Sequence, residues 1–182
     1  IERVLKRAEG GEGEAYDEIR YEGYGPGGTA LIVESLTDNR NRTASEVRAA
    51  FNKFGGSLGE TGSVSFMFAR VGQVVYPADA TDADTMFEAA LDAGADNVES
   101  DDNGHEITCA AEDYNSVSEA LFTAFGVPEE AGLVWKPQNT IEVNEAQAST
   151  LIKLLDVLDD NDDVQSIASN FDIPDEIMAK LA

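Results

Sequence analysis

Asn97-Val98-Glu99-Ser100-Asp101-Asp102-Asn103-Gly104-His105-Glu106-Ile107-Thr108-Cys109 (residues 97–109) reads as two short strands joined at Asn103-Gly104, a dipeptide with the dihedral tolerance of a type I′ turn. Upstream, Thr81 stands as the N-cap of a helix carrying Met86, Phe87, Ala90 and Leu91, which Gly94 stops. Downstream, Ser116-Val117-Ser118-Glu119 has the form of a capping box, opening a helix through Leu121 to Phe125 with Gly126 at its end. Strands over residues 73–76 and 132–136 flank this set. The order strand, helix, two strands, helix, strand is the ferredoxin-like pattern.

Outside that stretch the order is related. Residues 16–22 and 29–36 read as strands, the second apolar enough to be central in its sheet. Thr43-Ala44-Ser45-Glu46 predicts a capping box with Thr43 as N-cap, for a helix whose apolar face is Val47, Ala50, Phe51 and Phe54 and which Gly55 ends. Strands are expected over 64–70 and 73–76. Asn144 caps a long helix bearing Leu151, Ile152, Leu155 and Leu158, followed by a strand at 164–168 and a short helix begun by Pro174. Residues 1–8 carry a helical stripe without an N-cap and read as the tail of a helix, and residues 9–14, with three glycines, as a linker. The expected fold is α+β, with two ferredoxin-like α/β sandwich units. The second, residues 77–137, is inserted into a first made of residues 15–76 plus 138–182.

The boundary at Pro77 follows composition. Residues 77–137 hold one Lys or Arg against fifteen carboxylates, whereas residues 1–76 hold nine cations against eleven acids. The net charge of −24 alone predicts repulsion from nucleic acid and anionic membranes. Its distribution directs any phosphate contact to the first two-fifths of the chain. No run approaches the roughly 20 apolar residues of a membrane helix, and no signal peptide precedes residue 14, so a soluble protein of the bacterial cytoplasm is expected. One cysteine, Cys109, excludes an internal disulfide and reads as a small buried hydrophobe.

Several motifs invite chemistry and fail on context. Gly23-Tyr24-Gly25-Pro26-Gly27-Gly28 satisfies G-x-G-x-x-G, but a β-rich run follows where a dinucleotide site needs a helix, and Pro26 removes a backbone donor; an inter-strand turn is expected. Counting a calcium loop from Asp156 puts Asn161 and Ile167 where glycine and glutamate are required, leaving a polar turn. His105, the single histidine, lacks a partner for metal or base chemistry and reads as an exposed strand residue. Asn41-Arg42-Thr43 is a sequon without a secretory context. No catalytic residues, cofactor or metal are expected. What remains is Thr37-Asp38-Asn39-Arg40-Asn41-Arg42-Thr43, a loop feeding the capped helix, with Arg48 and Lys53 farther along it. Guanidinium groups beside first-turn N–H groups suit phosphate, so Arg40, Arg42, Arg48 and Lys53 are the candidate nucleic-acid contacts. The bland reading pairs Arg40 and Arg42 with Asp38 and Glu46.

Tyr21-Glu22-Gly23-Tyr24-Gly25-Pro26-Gly27-Gly28, the Thr37 to Thr43 loop, Phe54-Gly55-Gly56-Ser57-Leu58-Gly59, Gly62-Ser63-Val64 and the ending Leu158-Asp159-Asp160-Asn161-Asp162-Asp163-Val164-Gln165 resemble the YebC/PmpR proteins. The resemblance covers nearly the whole chain. It implies regulators of gene expression, called transcriptional regulators in bacteria, with a mitochondrial relative that activates translation of cytochrome c oxidase. It also implies a basic helical N-terminal domain, absent from this sequence, followed by two α+β units. The implied function is a non-enzymatic regulator bound to DNA. The rivals are a translation factor on ribosomal RNA or the ribosome, and an acidic module in which residues 77–137 dock a basic protein. No membrane or small-molecule partner is expected.

Overall fold

The computed structural model describes residues 15–181, so the helix tail and linker expected over 1–14 lie outside the described residues. The fold is α+β and divides into two compact, sheet-based units, one formed by the chain up to Phe68 and from Pro137, the other by Ala69–Lys136.

In the first unit, β1 (Asp17–Tyr24) and β2 (Ala30–Thr37) pair antiparallel in unbroken register from Asp17↔Thr37 to Tyr24↔Ala30. The sheet runs β3-β1-β2-β9, where β3 is Ser57–Leu58 and β9 is Val164–Ser169. β2 has a neighbour on each side, and its Ala30, Leu31, Ile32 and Val33 are all buried, as its continuous apolar run requires. Two helices, α1 (Arg40–Lys53) and α4 (Glu145–Asp160), supply Val47, Phe51, Leu151, Leu154 and Leu158 to a core with Leu31 and Val33. Each such side chain contributes about 1.5–3 kcal/mol on burial. Asn144 caps α4 in a reciprocal box with Gln147. The glycine-rich motif is the expected inter-strand turn: Pro26–Gly28 forms one 3-10 turn, with Gly27 and Gly28 at φ +78° and +75°, and leads into β2.

The second unit holds β4 (Phe68–Tyr76), α2 (Ala83–Ala93), β5 (Asn97–Asp101), β6 (Gly104–Ala110), α3 (Tyr114–Phe125) and β7 (Glu130–Pro137). Its sheet order, β5-β6-β4-β7, places the first strand of the pattern between the third and fourth, the split βαβ arrangement. Val74, Tyr76, Met86, Ile107, Val117 and Leu121 form a separate core. The boundary expected at Pro77 moves to Ala69: residues 71–76 of β4 pair with β6 from Val71↔Ala110 to Tyr76↔His105 and belong to the second sheet. The shift to acidic composition begins one strand later than the unit does.

Several boundaries differ locally from expectation. Asn39, not Thr43, caps α1 by accepting from Arg42 N–H, so the helix begins within the expected loop. Asp82, not Thr81, caps α2. α3 begins at Tyr114, two residues before Ser116, with no side-chain cap. Residues 64–67 are not strand: a 3-10 turn spans Ser65–Met67. In the hairpin, Asp101 pairs with Gly104, so the turn residues are Asp102 and Asn103, neither with positive φ, and the type I′ expectation falls. Short strands β8 (Ile141–Glu142) and β10 (Phe171–Asp172) pair parallel, and α5 (Asp175–Leu181) follows Pro174.

Candidate nucleic-acid interface at the start of helix α1

The first turn of α1 is organised around Asp163, a buried carboxylate from the turn after α4. Arg42 Nη2 donates to its Oδ1 and Oδ2 at 3.2 and 3.0 Å, and to Asp38 Oδ1 at 3.1 Å. Thr43, fully buried, donates its hydroxyl to Asp163 Oδ2 at 2.8 Å and shares a 2.7 Å hydrogen bond with the Thr37 hydroxyl, which accepts from Asn39 N–H. Beside this set, Asn161 Nδ2 donates to Glu46 Oε2 at 2.7 Å. The acidic run that mimicked a calcium loop thus acts as a latch. Asp163 raises the affinity of the Arg42 guanidinium for its proton, chiefly through their hydrogen bond. Arg42 is spent on internal contacts with Asp38 and Asp163, as the bland reading held for one arginine of the two.

The other candidates are exposed. Among the described residues neither Arg40 nor Arg48 forms an ion pair with a carboxylate. Lys53 Nζ lies 5.4 Å from the Phe54 ring centroid, a cation–π contact. At about 100° of helix per residue, Arg48 stands roughly 120° around from Arg42, and Arg42 and Lys53 are within about 20° of each other. The four do not share one stripe. Arg40 also acts on Tyr21, whose phenol is pushed up by burial while the guanidinium pulls the other way.

Sequence reasoning missed a second buried carboxylate. Glu22, on β1, accepts from the backbone N–H groups of Gly62 (2.7 Å), Val64 (3.1 Å) and Ser65 (2.6 Å) and from Arg20 Nε (3.1 Å). It staples residues 59–65 to the sheet. Its signal was a lone acid in Tyr21-Glu22-Gly23, where an edge-exposed residue is the default. His105 is likewise corrected. It is buried, with Nε2 2.9 Å from the Thr81 carbonyl and Nδ1 2.7 Å from Ser100 Oγ. The carbonyl can only accept, so Nε2 donates to it.

The second unit has the strand order of sheets that stack bases on aromatic side chains, but the positions that β4, β5 and β6 present on the face away from the helices hold no aromatic residue. By register, the face away from its helices presents Val71, Gln73, Val75, Glu99, Asp101, Glu106 and Thr108. Glu106 accepts from Lys136 and Gln73, both at 2.8 Å, and Lys136 holds its carboxyl below the usual range. That face cannot stack bases and repels phosphate. Among the described residues no cluster of three or more His, Cys, Asp or Glu is placed to hold a metal, and no helix is long and apolar enough to cross a membrane.

A family model described as the TACO1/YebC second and third domain matches residues 16–171. The crystal structure of conserved hypothetical protein Aq1575 from Aquifex aeolicus is similar at 42% identity and a TM-score of 0.86, over 97% of this chain and 74% of that one.

Proposed function

Because the chain belongs to the TACO1/YebC family, we propose that it is a non-enzymatic, nucleic-acid-associated regulator of gene expression whose phosphate contacts in this region are Arg40 and Arg48, with Lys53 standing on the opposite side of α1. The observation that carries this reading is the division of labour on α1. Arg42 is latched to Asp163 and sets the helix start, while Arg40 and Arg48 are exposed and, among the described residues, without a carboxylate partner. A fixed scaffold presenting unpaired guanidinium groups is what backbone contacts need.

The non-enzymatic reading rests on what the perturbed titratable groups do. Glu22 holds a loop, Asp82 caps α2, and Glu106 pairs with Lys136. Each shift has a structural cause, and none belongs to a cleft with a nucleophile. Promoter DNA is the first partner of this reading. A ribosomal target is the second, favoured by the acidic sheet face, which suits a composite of RNA and protein better than bare duplex.

The test is duplex binding across a salt series for the parent and for Arg40→Ala plus Arg48→Ala. The double variant should bind more weakly, with the slope of log affinity against log salt reduced by about one per lost phosphate contact. An unchanged affinity and slope in a folded variant removes the assignment. Sedimentation with ribosomes, without salt-dependent duplex binding, moves the reading to translation.

A further inference from the structure

We infer that the groove between helix α3 and edge strand β7 binds an extended, basic segment of a partner protein by strand addition. β7 ends the sheet order β5-β6-β4-β7, and Glu130, Ala131 and Leu133 along it are exposed, Leu133 to 44%. An edge strand carries a row of outward N–H and C=O groups that template another strand. A helix overhangs this edge: Tyr114, Ser118 and Phe122 of α3, with Pro128 and Ala131, line one groove. Phe122 is 53% exposed and neighbouring Val127 77%. Ala131 and Leu133 are two residues apart and share a face. A strand added to β7 therefore turns alternate side chains onto an apolar floor of Phe122, Ala131 and Leu133, giving affinity through the main chain and selectivity through the groove.

Charge names the occupant. Glu119 lines the groove, and the exposed Glu129 and Glu130 lie in sequence between its lining residues Pro128 and Ala131, within residues 77–137, which hold one cation and fifteen carboxylates. At physiological salt only charges within about 8 Å act strongly, so the carboxylates nearest the groove weigh most. A nucleic acid is repelled. A second copy of this chain is disfavoured too, because an isologous pairing of β7 with β7 brings the same acids together. A segment alternating Lys or Arg with Val, Ile or Leu satisfies both groove and rim. The inference deepens the docking role expected of the acidic region and is independent of the Arg40 and Arg48 reading.

The experiment titrates the 15N-labelled full chain with an alternating Lys-Val octapeptide, its counterpart N-methylated on alternate amides, and an alternating Glu-Val octapeptide. Resonance changes confined to residues 114–123 and 128–133 with the Lys-Val peptide are expected, with about tenfold weaker binding after Phe122→Lys and after N-methylation. Arg40→Ala plus Arg48→Ala should leave this binding unchanged, so failure of either assignment is distinguishable from failure of the other. Phe122 is exposed, so its variant folds; should it not, the N-methylated peptide decides alone. Changes spread over the whole acidic surface, equal binding of the N-methylated peptide, or β7 shifts that grow with protein concentration alone would overturn the inference.

Discussion

Glu22 is fully buried, and desolvation is the largest influence on its carboxyl, pushing its pKa up. Three backbone N–H groups, from Gly62, Val64 and Ser65, together outweigh it and hold the carboxyl below its ordinary range. A folded pKa below the unfolded one gives stability that is present above the ordinary carboxylate range and is lost as pH falls through the folded value. Glu22→Gln places amide hydrogens against N–H donors and leaves one of them unsatisfied. The variant should lose about 3 kcal/mol at neutral pH. Its stability should also decline less steeply on acidification than the parent's, because the group that must take up a proton is gone. Urea denaturation at neutral and mildly acidic pH checks both, and parallel acid limbs in parent and variant contradict the account. Gly23, next to it, shows a different constraint: a Cβ there would stand 2.6 Å from Ser57 O, so the β1 to β3 approach requires glycine.

Helix α1 illustrates how an element is placed by residues far from it. Asp163 lies 120 positions from Thr43, yet its carboxylate receives both the Thr43 hydroxyl and the Arg42 guanidinium. Asp163→Ala should therefore cost more than loss of the local cap: about 3 kcal/mol against about 1 kcal/mol for Asn39→Ala. Hydrogen exchange at residues 40–43 should accelerate in both variants, and the β9 amides only in the first. Equal costs would mean that the cap alone fixes the helix start. The same competition explains what the sequence left illegible. Thr43 to Glu46 has the spacing of a capping box, but Asn39 offers a cap one turn earlier and the Thr43 hydroxyl is claimed by Asp163. Residues 64–67 have strand composition, but Glu22 takes the Val64 and Ser65 N–H groups that a ladder would need. By contrast, the β2 run was legible because burial fixes it directly, and α4 was legible as a helix, though its buried face is Ala148, Leu151, Leu154 and Leu158, so that Leu154 takes the core place expected of Ile152. Of the candidate site, the placement of the cations was visible in the charge distribution, and their role stays a proposal. The latch was not, because ion pairing between distant segments leaves no local pattern.

The chain leaves and re-enters the first unit at one place: Gln138 N–H donates to Met67 O at 3.0 Å, immediately outside residues 69–136. Each unit has its own buried cluster, the first with Phe51 and Leu151, the second with Met86 and Leu121. The ferredoxin-like order is legible because alternation and turn residues report it locally, whereas the unit boundary is not, because the change in charge at Pro77 does not coincide with the change in strand pairing. These facts motivate the proposal that residues 69–136 are an autonomous insertion. Replacing them by two glycines joining Phe68 to Pro137 should leave the first unit folded, with its cooperative unfolding and the amide protection of β2 retained. The excised stretch holds fifteen carboxylates against Arg70 and Lys136. If the proposed Arg40 and Arg48 contacts hold, its removal should tighten duplex binding most at low salt, with the gain shrinking as the Debye length falls from about 30 Å at 0.01 M toward 3 Å at 1 M. A molten first unit would show that the insertion supports the fold. A folded but weaker binder would show that the acidic unit contributes contacts of its own, and would place its partner on the nucleic-acid complex rather than elsewhere.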